Sequence, residues 1–251
     1  MRQYSFLPNL FTQLNAISGF IGIVLASKGE LSLAALMVFT GAFFDLFDGY
    51  LARLIKVEGN LGKVLDSVAD GVSFGVLPSL ILFQLLEASH FSSSYFGVIP
   101  IIPILISLIP LVAVLYRLAK FSVADDQKFD FKGIPSPSWG IFIASLPLTM
   151  EFDLFMFQDE SVYLSKYILN EYFLSGIAIA FALLMISNLH FVSFKWRPGG
   201  LGKNYIPFSF LVMSIILFIL LFFAAVPVLI LVYILISVFH KTEEDEIQSQ
   251  H

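Results

Sequence analysis

The sequence predicts an all-α integral membrane protein of about eight transmembrane helices, with both termini cytoplasmic. Three observations lead there. Of 251 residues, 58% are hydrophobic and 13% charged, with a mean hydropathy of +0.87; a soluble domain with one anchor does not have this composition. Eight apolar segments follow one another, separated by polar connections. Lys and Arg then fall in alternate connections, as the positive-inside rule requires.

The segments are taken in order. The first covers about residues 10–27, and only Arg2 precedes it among basic residues. No small-residue cleavage site clearly follows, so it reads as a retained helix. The second covers about 31–55 and the third about 61–87, where Pro78 predicts a kink. The fourth, about 96–121, contains Pro100, Pro103 and Pro110. A polar connection, ADDQKFDFKGIPSPS, leads to a short fifth run at about 139–150. A mixed acidic and aromatic loop precedes the sixth, about 171–187, and the basic loop FKWRPGGLGKN follows it. The run 205–239 is nearly twice the ~20 residues one crossing needs. It is divided here by a tight hairpin near 224–227. Residues 1–240 thus form one membrane domain, and 241–251 form a polar cytoplasmic tail.

With the N-terminus inside, Arg2, Arg53, Lys56, Lys63, Arg117, Lys120, Lys128, Lys132, Lys195, Arg197, Lys203 and Lys241 are all cytoplasmic. Of the 14 basic residues, only Lys28 and Lys166 lie outside. The net charge of −5 says less than this placement does. The absence of cysteine excludes disulfides, zinc–thiolate sites and thiol catalysis. Nucleic acid is not an expected partner, because no basic face interleaved with aromatics occurs.

Chemistry is concentrated between the second and third segments, in DLFDGYLARLIKVEGNLGKVLDSVAD. An ionised carboxylate at the centre of a membrane helix costs about 3 kcal/mol or more, and this stretch holds Asp45, Asp48, Asp66 and Asp70. Spacings of three and four put each pair on one helix face. Asp48 lies about 7.5 Å above Arg53, and Asp70 about 10 Å above Lys63, at ~1.5 Å per residue. The pairs therefore meet at one depth, just inside the cytoplasmic leaflet, near lipid phosphates. Carboxylates there suit one or two Mg²⁺ or Mn²⁺ ions. Gly49, Ala52 and Gly62 continue the acidic stripes with small residues, leaving room for a bulky ligand against the backbone.

Written as D-x2-D-G-x2-A-R-x8-G-x3-D-x3-D, the stretch resembles the signature of the CDP-alcohol phosphatidyltransferase family at Asp45, Asp48, Gly49, Ala52, Arg53, Gly62, Asp66 and Asp70. The flanking segments PNLFTQLNAISG, SVADGVSFGVLPS, RLAKFSV, FKGIPSP and SFKWRPGG resemble its bacterial phosphatidylserine synthase branch. That branch usually has Arg and Asn where this chain has Lys120 and Ser122. The resemblance implies a homodimeric enzyme of the cell (plasma or inner) membrane, with its site facing the cytoplasm. It would move a phosphatidyl group from CDP-diacylglycerol to the hydroxyl of L-serine, giving phosphatidylserine and CMP. It also implies Asp45, Asp48 and Asp66 as the principal metal ligands. Asp70 would be the general base and a ligand of any second ion, and Gly49 and Ala52 would line the nucleotide side.

Several assignments keep two readings. Arg53 braces either a carboxylate or the nucleotide. Arg117 and Lys120 either snorkel to the interface or hold an acceptor carboxylate or lipid phosphate. Lys132 sits on a loop that either covers the site or is simply solvated. Asn9, Thr12 and Asn15 form a polar edge that either bonds another helix or touches the cytidine. Ser73 and Gly75 read as close-packing residues, and Trp139 and Trp196 as interfacial anchors. His90, His190, His240 and His251 read as unrelated to catalysis. Two rival functions remain. One is the same chemistry with glycerol 3-phosphate or an inositol compound as acceptor. The other is an intramembrane cation or proton transporter, which would not need Gly49, Ala52, Arg53 and Gly62 at these offsets.

Overall fold

Away from water, a spanning backbone must satisfy its own hydrogen bonds, so apolar runs become helices. A computed structural model describes residues 6–55, 60–89, 101–123, 133–152, 161–189, 191 and 205–239. Among the described residues every regular element is helical. They are α1 (Phe6–Ser27), α2 (Leu31–Ile55), α3 (Asn60–Asp70), a π-helical turn (Gly71–Val76), α4 (Leu77–Ala88), α5 (Ile101–Val123) and α6 (Ser136–Glu151), followed by α7 (Ser161–Ile168), α8 (Glu171–Ile186), α9 (Tyr205–Leu221), a 3₁₀ turn (Phe222–Ala224) and α10 (Ala225–Phe239). Among the described residues, five stretches are long and apolar enough to cross a membrane: Pro8–Ser27, Leu31–Ala52, Leu61–Ala88, Ile101–Ser122 and Phe208–Ser237. Their outward faces are apolar. Leu46 and Ile219 are each 71% exposed, which suits lipid and not water.

Gly29 closes α1. Its φ of 83° is left-handed, its N–H donates to Ala26 O and the Glu30 N–H to Leu25 O. This pair of bonds satisfies carbonyls at the helix end and turns the chain back. α2 then packs along α1. The third span departs from α-helix as a π turn, and this irregularity precedes Pro78. Proline lacks an N–H, and its ring crowds the carbonyl four residues earlier, here that of Phe74. The π turn ends two residues before Pro78 and absorbs this misfit.

The short fifth run forms α6, with eleven of its 16 residues buried. Gly140 lets it lie close, since a Cβ there would sit 3.0 Å from Phe74 Cδ1. Trp139 is consequently fully buried, with its ring 5.5 Å from that of Phe181. The interfacial role expected for Trp139 is therefore wrong: it is a core residue of α6. Two further expectations change. Part of the acidic and aromatic loop before the sixth run is helical, as α7. The terminal reversal falls at Phe222–Ala224, just before the expected 224–227. Phe222 takes a φ of 48° there. The Phe210 and Tyr233 rings stand 6.4 Å apart, whereas a straight helix would separate them by about 35 Å; the run is a hairpin.

Candidate active site

The site is built where α1, α2 and α3 meet. Asp45 and Asp48 project from the last turns of α2, and Asp66 and Asp70 from α3. The structure gathers one carboxylate oxygen from each of Asp45, Asp48 and Asp66 within 4.8 Å of one another. Two anions about 4 Å apart repel by about 4 kcal/mol at an effective dielectric near 20. Three on partly buried helices therefore favour a cation between them.

The residues present fit such an ion. All three donors are hard oxygens, as Mg²⁺ and Mn²⁺ prefer. Asp66 Oδ1 is buried without a hydrogen-bond partner. One oxygen from each of the three lies close enough to the others for a single ion to be shared among them. Asp70 stands outside this group of three. It is 8% exposed, and its Oδ1 accepts from Asn15 Nδ2 at 3.1 Å.

The polar edge of α1 bonds the acids directly. Thr12 Oγ1 donates to Asp48 Oδ2 at 2.8 Å, and it also lies 3.1 Å from Pro8 O. Asn9 lies beside Gly62, where a Cβ would sit 3.6 Å from Asn9 Oδ1. A Cβ at Gly49 would meet nothing within 4 Å, and Ala52, one turn on, is half-buried. The glycine in the acidic stripe of α2 thus borders open space. Gly75, by contrast, packs on α5, where a Cβ would meet Val114 at 3.3 Å, and Ser73 donates to Asn15 O at 2.9 Å.

Arg117 of α5 does not snorkel. It is 9% exposed, donates from Nη1 to Ser136 Oγ at 3.3 Å, and lies over the Phe121 ring at 4.7 Å. Its Nε is buried without a partner. Lys120 is exposed. Lys132 and Trp196, the four histidines and the side chain of Arg53 lie outside the described residues. Sequence reasoning missed Ser136, which reaches Arg117 from beyond the 124–132 connection and carries no local signal. It also missed the contact of Ser67 with Ser122, 2.7 Å between hydroxyl oxygens.

A helical membrane protein with gathered acidic oxygens facing a small-residue wall is the class these features define. The model of the CDP-alcohol phosphatidyltransferase family matches residues 5–240, and the chain belongs to that family of phosphotransferases. Among relatives, the archaetidylserine synthase of Methanothermobacter thermautotrophicus is 29% identical over 201 residues, 79% of this chain and 72% of its own length. The CDP-diacylglycerol–serine O-phosphatidyltransferase of Bacillus subtilis is 32% identical over 145 residues, 58% of this chain and 77% of its own. That of Helicobacter pylori strain J99 is 29% identical over 191 residues, covering 75% and 72%. Family members are as a rule dependent on divalent metal.

Proposed function

We propose that the chain transfers the phosphatidyl group of CDP-diacylglycerol to the hydroxyl of L-serine, releasing CMP. The observation that carries this reading is the trio Asp45, Asp48 and Asp66, with Asp70 held separately beside it. The named relatives act with serine, and they support that acceptor. Asp45, Asp48 and Asp66 would hold Mg²⁺ or Mn²⁺, and Asp70 would act beside them. A bound ion supplies positive charge to the donor's diphosphate and to the departing CMP.

Asp70 takes the proton of the serine hydroxyl. The freed oxygen bonds to the lipid-side phosphorus. The bond from that phosphorus to the bridging oxygen breaks, and CMP leaves with the electron pair. Asp70 then returns its proton to water. The open space at Gly49 and Ala52 receives the nucleotide. Arg117, buried with a free Nε, holds the serine carboxylate. Lys120 is exposed near the end of α5, and Lys132 lies outside the described residues; both remain candidates for contact with the acceptor or a lipid phosphate. The basic residues around the acidic spans support a site in the cytoplasmic leaflet of the cell membrane. Residues 1–240 form one domain with a polar tail behind it, and by resemblance the working unit is a homodimer.

The test is purified protein with CDP-diacylglycerol and a panel of alcohols, reading CMP. Release that depends on serine is expected. Release with glycerol 3-phosphate or an inositol compound, and none with serine, would overturn the acceptor. A parallel arm with an isoprenoid-ether CDP-lipid reads the tail preference, because the headgroup chemistry is the same for both.

A further inference from the structure

We propose that α1 is the positioning element of the site: Thr12 sets the metal-binding carboxylate Asp48, and Asn15 separately sets the base Asp70. This rests on the roles given above to those two aspartates. Thr12 and Asn15 are three apart, so they share one face of α1. They reach different helices, Asp48 on α2 and Asp70 on α3. Each bond ties down one carboxylate oxygen.

The surroundings of Asn15 argue against simple helix adhesion. Its side chain is fully buried and its Oδ1 has no partner, although an unmatched buried acceptor is costly. An adhesive amide would use both ends. This one is boxed in. A Cβ at Gly41 of α2 would stand 2.8 Å from Asn15 Oδ1. Ser73 of the π turn donates to the Asn15 carbonyl at 2.9 Å. A Cβ at Gly19, one turn along α1, would lie 2.5 Å from Ser73 Oγ. Gly41 of α2 thus closes on the oxygen end of the amide, while Ser73 of the π turn, itself crowded by Gly19, holds the main-chain carbonyl of the same residue. The nitrogen end is left on Asp70.

The two bonds predict separable effects. In Asn15→Leu, similar in size but without a donor, the metal trio is untouched. Binding of Mn²⁺, read by electron paramagnetic resonance, should stay within about three-fold. The kcat should fall by about ten- to a hundred-fold with little change in either KM, as expected for a lost charge-assisted bond. In Thr12→Val, Mn²⁺ affinity should fall by about ten-fold, as when a partner behind a metal ligand is removed, and Thr12→Ser should restore it. Gly41→Ala, which presses on Oδ1 without removing the donor, should lower kcat in the same direction as Asn15→Leu. Melting followed by tryptophan fluorescence controls for folding. Wild-type kcat in Asn15→Leu, or Mn²⁺ binding equal in Thr12→Val and Thr12→Ser, would overturn the proposal. So would parallel losses of melting temperature, Mn²⁺ binding and kcat, since those mark adhesion alone. If wild-type protein releases no CMP with serine, the proposed reaction fails instead; the Mn²⁺ comparison at Thr12 still decides this inference.

Discussion

At the scale of single residues, the division of work among the aspartates makes a sharp prediction. Asp45, Asp48 and Asp66 lie together while Asp70 is bonded away to Asn15. Asp70→Asn keeps the size and loses the base. It should lower kcat by about 10²–10⁴-fold while Mn²⁺ binding persists; a near-normal rate would remove Asp70 as base. Asp45→Asn should instead abolish Mn²⁺ binding, and chelation of wild-type protein should stop CMP release until Mg²⁺ or Mn²⁺ is returned. Gly49 offers a cleaner probe, because a Cβ there meets no protein atom within 4 Å. Gly49→Leu should therefore leave the melting temperature unchanged and weaken CDP-lipid binding. Unchanged affinity would empty that space of its ligand. These residues were legible in the sequence because fixed spacings of three and four place acids on one face whatever the tertiary contacts. Arg117 was legible only as a cation at a helix end. Its burial depends on Ser136, whose approach no periodicity announces.

At the scale of elements, legibility followed length. Long apolar runs declared themselves as helices, while α6 read as a short uncertain stretch. Its burial against the third span rests on close approach at Gly140, a tertiary fact. Trp139 followed its helix inward, against the usual preference of tryptophan for interfaces. Charged residues hid α7 for the reverse reason: acids and aromatics mixed together carry no clear period. The entry into α6 is itself constrained. Gly133 has a φ of 76° and no room for a Cβ beside Met185 O, while its N–H donates to Leu189 O at 2.9 Å. Gly133→Ala should cost at least about 1–3 kcal/mol, read as a lower melting temperature. Because α6 carries Ser136, the partner of Arg117, the KM for the acceptor should rise while Mn²⁺ binding holds. An acceptor KM equal to wild type would separate this turn from the acceptor side.

At the scale of the whole molecule, the contacts sort into two ends. Asn9 meets Gly62, and Gly133 bonds Leu189, at one end. At the other, Phe152 at the close of α6 packs on Phe223 with ring centroids 5.4 Å apart. The charge pattern predicts the first end at the cytoplasm and Lys28 outside. That assignment can be tested directly, because the chain has no cysteine and any introduced thiol is the sole target. Lys28 and Lys120 are both exposed, and neither has a catalytic role that folding depends on. In intact cells, a membrane-impermeant maleimide should label Lys28→Cys and spare Lys120→Cys. After permeabilisation both should label. A thiol placed at Phe223, in the terminal reversal, should behave like Lys28→Cys if that run crosses twice. Labelling of Lys120→Cys in intact cells would invert the molecule and move the acidic site to the wrong leaflet for a cytoplasmic nucleotide-lipid. Labelling at 223 only after permeabilisation would preserve the site but remove the last two crossings from the count. The charge asymmetry is strong because its basic residues lie next to the acidic spans, so the first inversion would also break the link between charge placement and catalysis on which the depth of the site depends.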